Sequence, residues 1–191
     1  VKQLFIIAGP NGAGKTTASF TILPEILKIK EFVNADEIAK GISPFNPEGA
    51  AFAAGRVMLN RISELLEQGE SFAFETTLAT RSYVSLIKRA QLAGYKVSLL
   101  FLALQNSSLA LKRVQTRVKE GGHNVPRNVI ETRYRKGLSN FFNLFQEAVD
   151  LWLFIDNTAG EFKSVARGSK QNVEIKLPIE WEHYKFAANG N

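Results

Sequence analysis

Gly9-Pro10-Asn11-Gly12-Ala13-Gly14-Lys15-Thr16 fits the pattern G-x-x-x-x-G-K-[ST] at every fixed position. The residues before it, Leu4-Phe5-Ile6-Ile7-Ala8, read as a buried strand. Those from Lys15 to about Leu23 read as the start of a helix. Strand, glycine loop and helix in this order make a cradle for phosphate. Glycines let the backbone curl so that successive N–H groups point inward. The helix N-terminus adds favourable partial charge. In such a loop Lys15 reaches the β- and γ-phosphates of a nucleotide and the Thr16 hydroxyl binds Mg²⁺. The expected nucleotide contacts are these eight residues together with Thr17.

Working outward, strand and helix signals alternate, which favours a parallel sheet flanked by helices. Pro24 is expected to interrupt or end the first helix. Glu31–Ala35 reads as a short second strand ending at Asp36, and Gly41–Gly49 as a loop. A helix with Ala54, Met58, Ile62, Leu65 and Leu66 on one face follows, closed by Gly69. Ser71–Glu75 is the third strand, about Arg81 to Ala93 a helix, and Tyr95–Leu104 the strongest strand signal. Ser107 or Ser108 is expected to cap the next helix. Gly121-Gly122-His123-Asn124-Val125-Pro126 breaks it. A long helix then carries Ile130, Tyr134, Leu138, Phe141, Phe142, Phe145 and Val149 on one stripe, a spacing that marks core rather than a base-stacking surface. Leu151–Ile155 is a further buried strand, Gly160–Gln171 reads as a connection, and Val173–Leu177 as an edge strand. The expectation is one P-loop kinase-like domain over residues 1–191, with 159–191 as a hairpin or edge-strand extension.

Composition narrows the function classes. The 191 residues include no cysteine, which excludes disulfides, thiolate nucleophiles and Cys-ligated zinc and suits a reducing, cytoplasmic setting. No apolar run approaches the roughly 20 residues of a membrane span. The apolar start at Leu4 runs straight into the glycine loop, unlike a signal peptide. The net charge of +6 suits a cleft that handles triphosphates and does not require nucleic acid.

Phosphoryl transfer needs held phosphates, a metal, cations around the moving group, and something to orient the attacking oxygen. Asp36, past the second strand, can accept the proton of a substrate hydroxyl, and it is equally a preferred residue type for a helix cap. Glu75 ends the third strand, where an acid can lie near the metal. Thr77 and Thr80 can hydrogen-bond a substrate, although threonine after a strand also serves turns. Arg113 and Arg117 share one helix face. With Arg127, Arg133 and Arg135 beyond the glycine break, they suit an arginine-bearing lid. His123 can touch phosphate or shuttle a proton, or serve only as a loop residue. Asp156 reads as a turn carboxylate and His183 as structural.

The glycine loop, Asn34-Ala35-Asp36, Phe74-Glu75-Thr76-Thr77 and Gly121–Pro126 together resemble the zeta-toxin-like P-loop kinases over roughly residues 3–158. The resemblance implies ATP or GTP as donor with Mg²⁺, and Asp36 as general base. It implies Lys15 and Thr16 on phosphate and metal, and Glu75 and Thr77 on substrate or the metal shell. Arg113 matches the first lid arginine of the toxin branch, whose acceptor is a hydroxyl of UDP-N-acetylglucosamine. Where that branch has a second lid arginine, this chain has His123, as in the Gly-Gly-His branch, leaving Arg117, Arg127 or Arg133 to supply the cation. By the same resemblance the partners are a nucleoside triphosphate and a small hydroxyl acceptor, with an antitoxin protein a candidate. Asn157 and Thr158 are expected near the nucleotide base. A regulatory nucleotide-binding ATPase and a nucleic-acid end kinase are the alternatives.

Overall fold

The computed structural model describes residues 1–25, 27–122 and 124–190. Its centre is β1 (Lys2–Ala8), whose apolar run is buried on both faces, as a central parallel strand requires. Strand β3 (Phe72–Thr76) pairs with β1 on one side and β4 (Tyr95–Ala103) on the other, both parallel, so that Leu4 lies beside Phe72 and Val97. The short β2 (Glu31–Val33) and the strand β5 (Leu151–Asp156) extend the parallel array outward. Two antiparallel strands, β6 (Lys163–Ser169) and β7 (Val173–Ile175), complete a seven-stranded sheet of order β2-β3-β1-β4-β5-β6-β7. The fold is α/β with a mostly parallel sheet between helices.

Alternation along β1 sends Leu4, Ile6 and Ala8 to one face and Ile7 to the other. The first face packs on α3 (Ala51–Gln68), α4 (Tyr83–Leu92), α6 (Arg127–Asn140) and α8 (Pro178–Ala188). On the second face α1 (Lys15–Glu25) and α5 (Ser107–Lys119) bring Ala18, Ala110 and Val114 against Leu102 and Ile155. The face of α3 that periodicity picks out is the buried one, and Gly69 closes the helix at φ 73°.

Several expectations change. The segment Gly160–Gln171 is not a plain connection: it contains β6, with Val165 and Ala166 buried against the core. Two apolar residues among Lys163, Arg167 and Lys170 leave too little alternation to read. The helix α8, with Pro178 in its first turn, buries Trp181 and Tyr184. Asn106, not Ser107 or Ser108, caps α5, accepting from the Leu109 N–H at 2.9 Å. Asp36 is not a cap either: Asn34 caps α2 (Ala35–Ile42), and Asp36 lies in the first turn. The helix α1 closes at Glu25, one residue past Pro24, in keeping with the expected stop. The long helix after Pro126 changes pitch. It continues from α6 through a π turn, Phe141–Phe145, into α7 (Gln146–Ala148). Phe141 and Phe145 are fully buried there, and Phe141 packs on Phe101 and Phe154 at ring separations of 4.9 and 5.0 Å. Among the described residues no helix is long and apolar enough to cross a membrane.

Candidate active site

The loop from Gly9 to Gly14 leaves β1 at the C-terminal edge of the parallel strands, where open α/β sheets present their ligand crevice. Gly9 takes φ 143°, and a Cβ there would lie 2.2 Å from the Leu102 carbonyl oxygen on β4, so only glycine fits. Among the described residues, no backbone carbonyl accepts from the backbone N–H groups of Asn11, Gly12 and Gly14. Those of Lys15 and Thr16 open a helix and have no intrahelical partner. Five backbone donors thus stand without a backbone acceptor along one short stretch, the resource an anion nest draws on.

The loop is braced from outside. Arg113 Nη2 donates to the carbonyls of Asn157 at 2.7 Å and Thr158 at 3.0 Å, and Nη1 to that of Gly12 at 3.3 Å. Asn157 Nδ2 donates to the Ala13 carbonyl at 2.9 Å. Asp156 Oδ1 accepts from the Thr158 N–H, which makes it the turn carboxylate expected.

Inside the loop, Lys15 is 7% exposed. Its Nζ donates to the Pro10 carbonyl at 2.9 Å and lies 3.7 Å from Glu75 Oε1. Burial pulls its pKa below the ordinary lysine value, against the opposing influence of Glu75 and then Asp36. Glu75 stands beside Ile7 in the β1–β3 register, so the strand pairing itself delivers the acid to the loop. Its Oε2 accepts from Thr16 Oγ1 and from Asn34 Nδ2, each at 2.9 Å.

A cavity of about 520 Å³ opens in front of this cluster. Asn11 and Lys15 form its floor, and Asn34 and Asp36 one wall. Glu75, Thr77, Thr80 and Tyr83 form another, and α6 adds Thr132, Arg133 and Lys136. Burial raises the Tyr83 phenol, so it stays protonated as a donor. The loop carrying Thr77 and Thr80 is held by α6. Leu78 sits at φ 59°, Asn140 Nδ2 donates to its carbonyl at 2.8 Å, and Gly137 lets the Thr77 carbonyl approach. An adjoining cleft of about 730 Å³ shares Thr80 and Lys136 and adds Arg81, Arg135 and Ser139. No ion pair among the described residues engages Arg81, Arg133, Arg135 or Lys136.

The structure therefore brings together Lys15, Thr16, Asp36, Glu75, Thr77, Thr80 and Arg133 from the sequence-derived candidates. Arg113 serves the outer brace. Arg127 is exposed and pairs with Glu131 at 2.8 Å. Arg117 is off the cavity wall but close enough to Lys15 to lower its pKa. Thr17 is exposed and is not among the residues that line the cavity. His123 lies outside the described residues. Sequence reasoning assigned no role to Asn34, Tyr83 or Lys136. Of these, only Asn34 left a signal, as an asparagine directly before a helix.

The oxygen ligands offered at the Thr16–Glu75 corner are a threonine hydroxyl and one carboxylate. Among the described residues no group of three or more His, Cys, Asp or Glu could hold a metal by itself. Hard oxygen ligands in small number, completed by phosphates, are what Mg²⁺ takes in nucleotide sites, so the residues fit that ion.

Comparison with known proteins gives a consistent picture. The family model described as Zeta toxin matches residues 2–157. An uncharacterised protein of Haemophilus influenzae is 32% identical over 127 residues, covering 66% of this chain and 88% of that protein. A chain of the AvrRxo1-ORF1:-ORF2 complex solved with ATP superposes with a TM-score of 0.78 at 17% identity. The match covers all of this chain and 64% of that one, so this chain spans less than two thirds of that neighbour's length. A chain of the PezAT chromosomal toxin–antitoxin system of Streptococcus pneumoniae gives 0.69 at 16% identity, covering 98% of this chain and 85% of that one. At such identities the structural likeness is one of fold.

Proposed function

The chain belongs to the Zeta toxin family, and from that premise we propose that it transfers the γ-phosphate of Mg-ATP, or GTP, to a hydroxyl of a small molecule. The observation that carries this reading is the joining of Lys15, Thr16 and Glu75 at the loop, with Asp36 on the wall of the same cavity. The loop amides and Lys15 hold the triphosphate. Thr16 and Glu75 would hold the Mg²⁺. That ion supplies neutralising charge to the phosphates when bound. Asp36 takes the proton of the acceptor hydroxyl as its oxygen bonds to the γ-phosphorus and the bond to the ADP oxygen breaks. Arg133 and Lys136 stabilise the charge spread over the moving phosphoryl group. Residues 1–191 act as one kinase domain in this reading.

For the acceptor, a UDP-amino-sugar is the first candidate. Thr77, Thr80 and Tyr83 offer hydroxyls for a sugar. Arg81, Arg135 and Lys136 next door, in no ion pair among the described residues, suit an anionic group carried on the same molecule. The test is ADP release from Mg-ATP with UDP-N-acetylglucosamine, other nucleotide-sugars, nucleosides and water as acceptors. One sugar-bearing acceptor is expected to speed release well above the rate with water. Asp36→Asn is expected to lose about 10²–10⁴-fold in turnover with unchanged Mg-ATP affinity. Wild-type turnover in that variant removes Asp36 as base.

A further inference from the structure

Asn34 occupies a junction that the roles above leave unused. It is 5% exposed, and its two amide atoms serve different elements. Its Oδ1 accepts from the backbone N–H of Asp36 at 2.8 Å and, more weakly, of Glu37 at 3.4 Å, which caps α2. Its Nδ2 donates to Glu75 Oε2 at 2.9 Å. The orientation of this amide is fixed by its partners, since a carboxylate only accepts and a backbone N–H only donates.

Capping alone does not call for asparagine. Aspartate and serine cap about as well. Aspartate would set a second carboxylate against Glu75, and serine is too short to reach both partners. Glu75 Oε2 also takes the Thr16 hydroxyl, and Oε1 faces Lys15. One carboxylate thus ties the phosphate loop to the start of α2, with Asn34 as the link on the α2 side. The strand that leads into α2 is only three residues long and lies at the sheet edge, so pairing alone anchors that helix weakly.

We infer that Asn34 is a positioning residue. It sets the Asp36-bearing turn of α2 against the Thr16–Glu75 corner, so that the state of the phosphate and metal corner is transmitted to the base. This rests on the kinase reading above.

Asn34→Ser keeps a cap and removes the bridge. ADP formation from Mg-ATP, with water and with UDP-N-acetylglucosamine as acceptors, is expected to fall about 10- to 100-fold in kcat, the scale of a misplaced catalytic group. KM for ATP is expected to stay at its wild-type value, and the thermal midpoint to fall by no more than the loss of one buried hydrogen bond. Added to Glu75→Ala, Asn34→Ser is expected to cause no further loss, because the link is already cut. Wild-type kcat in Asn34→Ser, or losses that multiply in the double variant, overturn the inference. If the wild type forms no ADP with any acceptor, the kinase reading falls and NMR of the nucleotide-free protein decides the linkage separately. The Asn34 side-chain amide and the Asp36 backbone amide are then both expected to shift in Glu75→Ala. An Asp36 resonance that stays in place overturns it.

Discussion

Lys15 is held at a disadvantage in the nucleotide-free protein. Its ammonium is buried, and Pro10 and Glu75 compensate only in part, so its pKa lies below the ordinary 10.5. Between the lowered value and 10.5 the unfolded chain binds a proton that the folded chain does not. Stability from this group therefore rises with pH across that window. Lys15→Met lacks the titration. The thermal midpoint of wild type relative to Lys15→Met is expected to climb as pH rises from 7 toward 10.5. Two midpoint curves that stay parallel over that range contradict the account. A cation stored in a dry loop is also what a triphosphate relieves, which joins the stability of the empty site to its function. At this scale the sequence was legible where a residue type has one use. Lys15 and Thr16 follow from the loop pattern, and Glu75 from its strand end. Arginines have many uses: of those expected in the lid, Arg113 here braces the loop, Arg127 pairs with its helical neighbour and Arg133 lines the cavity.

The helix α6 shapes the acceptor side of the cavity through its contact with the Thr77–Thr80 loop. A Cβ at Gly137 would lie 2.3 Å from the Thr77 carbonyl oxygen. Alanine is the better helix former by about 0.8–1 kcal/mol, but overpacking against backbone costs about 1–3 kcal/mol, so the clash wins. Gly137→Ala is expected to lower the thermal midpoint and raise KM for the acceptor. The control is Gly55 in α3, where a Cβ meets nothing within 4 Å. Gly55→Ala is expected to stabilise by about 0.4–1 kcal/mol. A Gly137→Ala variant as stable as Gly55→Ala contradicts the contact. Elements announced themselves where burial imposed a period, as in α3 and the parallel strands. The strand β6 and helix α8 did not. The first holds two buried apolar residues between charges, and the second buries Trp181, Tyr184 and Ala188 while the equally apolar Ile179 and Phe186 face outward and blur the period. The π turn was hidden because Phe141, Phe142 and Phe145 fit an uninterrupted helix equally well.

On the scale of the whole molecule, the sheet order places β1 between β3 and β4, so chain leaving β1 and chain leaving β3 go to opposite sides. The crevice this opens receives the phosphate loop, Glu75 and, from the first turn of α2 beyond the edge strand, Asp36. A ligand held there bridges elements from both halves of the sheet and is expected to stabilise all of them together. At one hundred times its Kd, Mg-ATP contributes about 2.7 kcal/mol. For a chain of this length that is a rise of roughly 5–10 °C in thermal midpoint. The most direct measurement is calorimetric titration of the protein with ATP, and then GTP, in the presence of Mg²⁺. A saturable heat with one site per chain, lost in Lys15→Met, is the predicted result. Absence of heat from both nucleotides would contradict the account at its base.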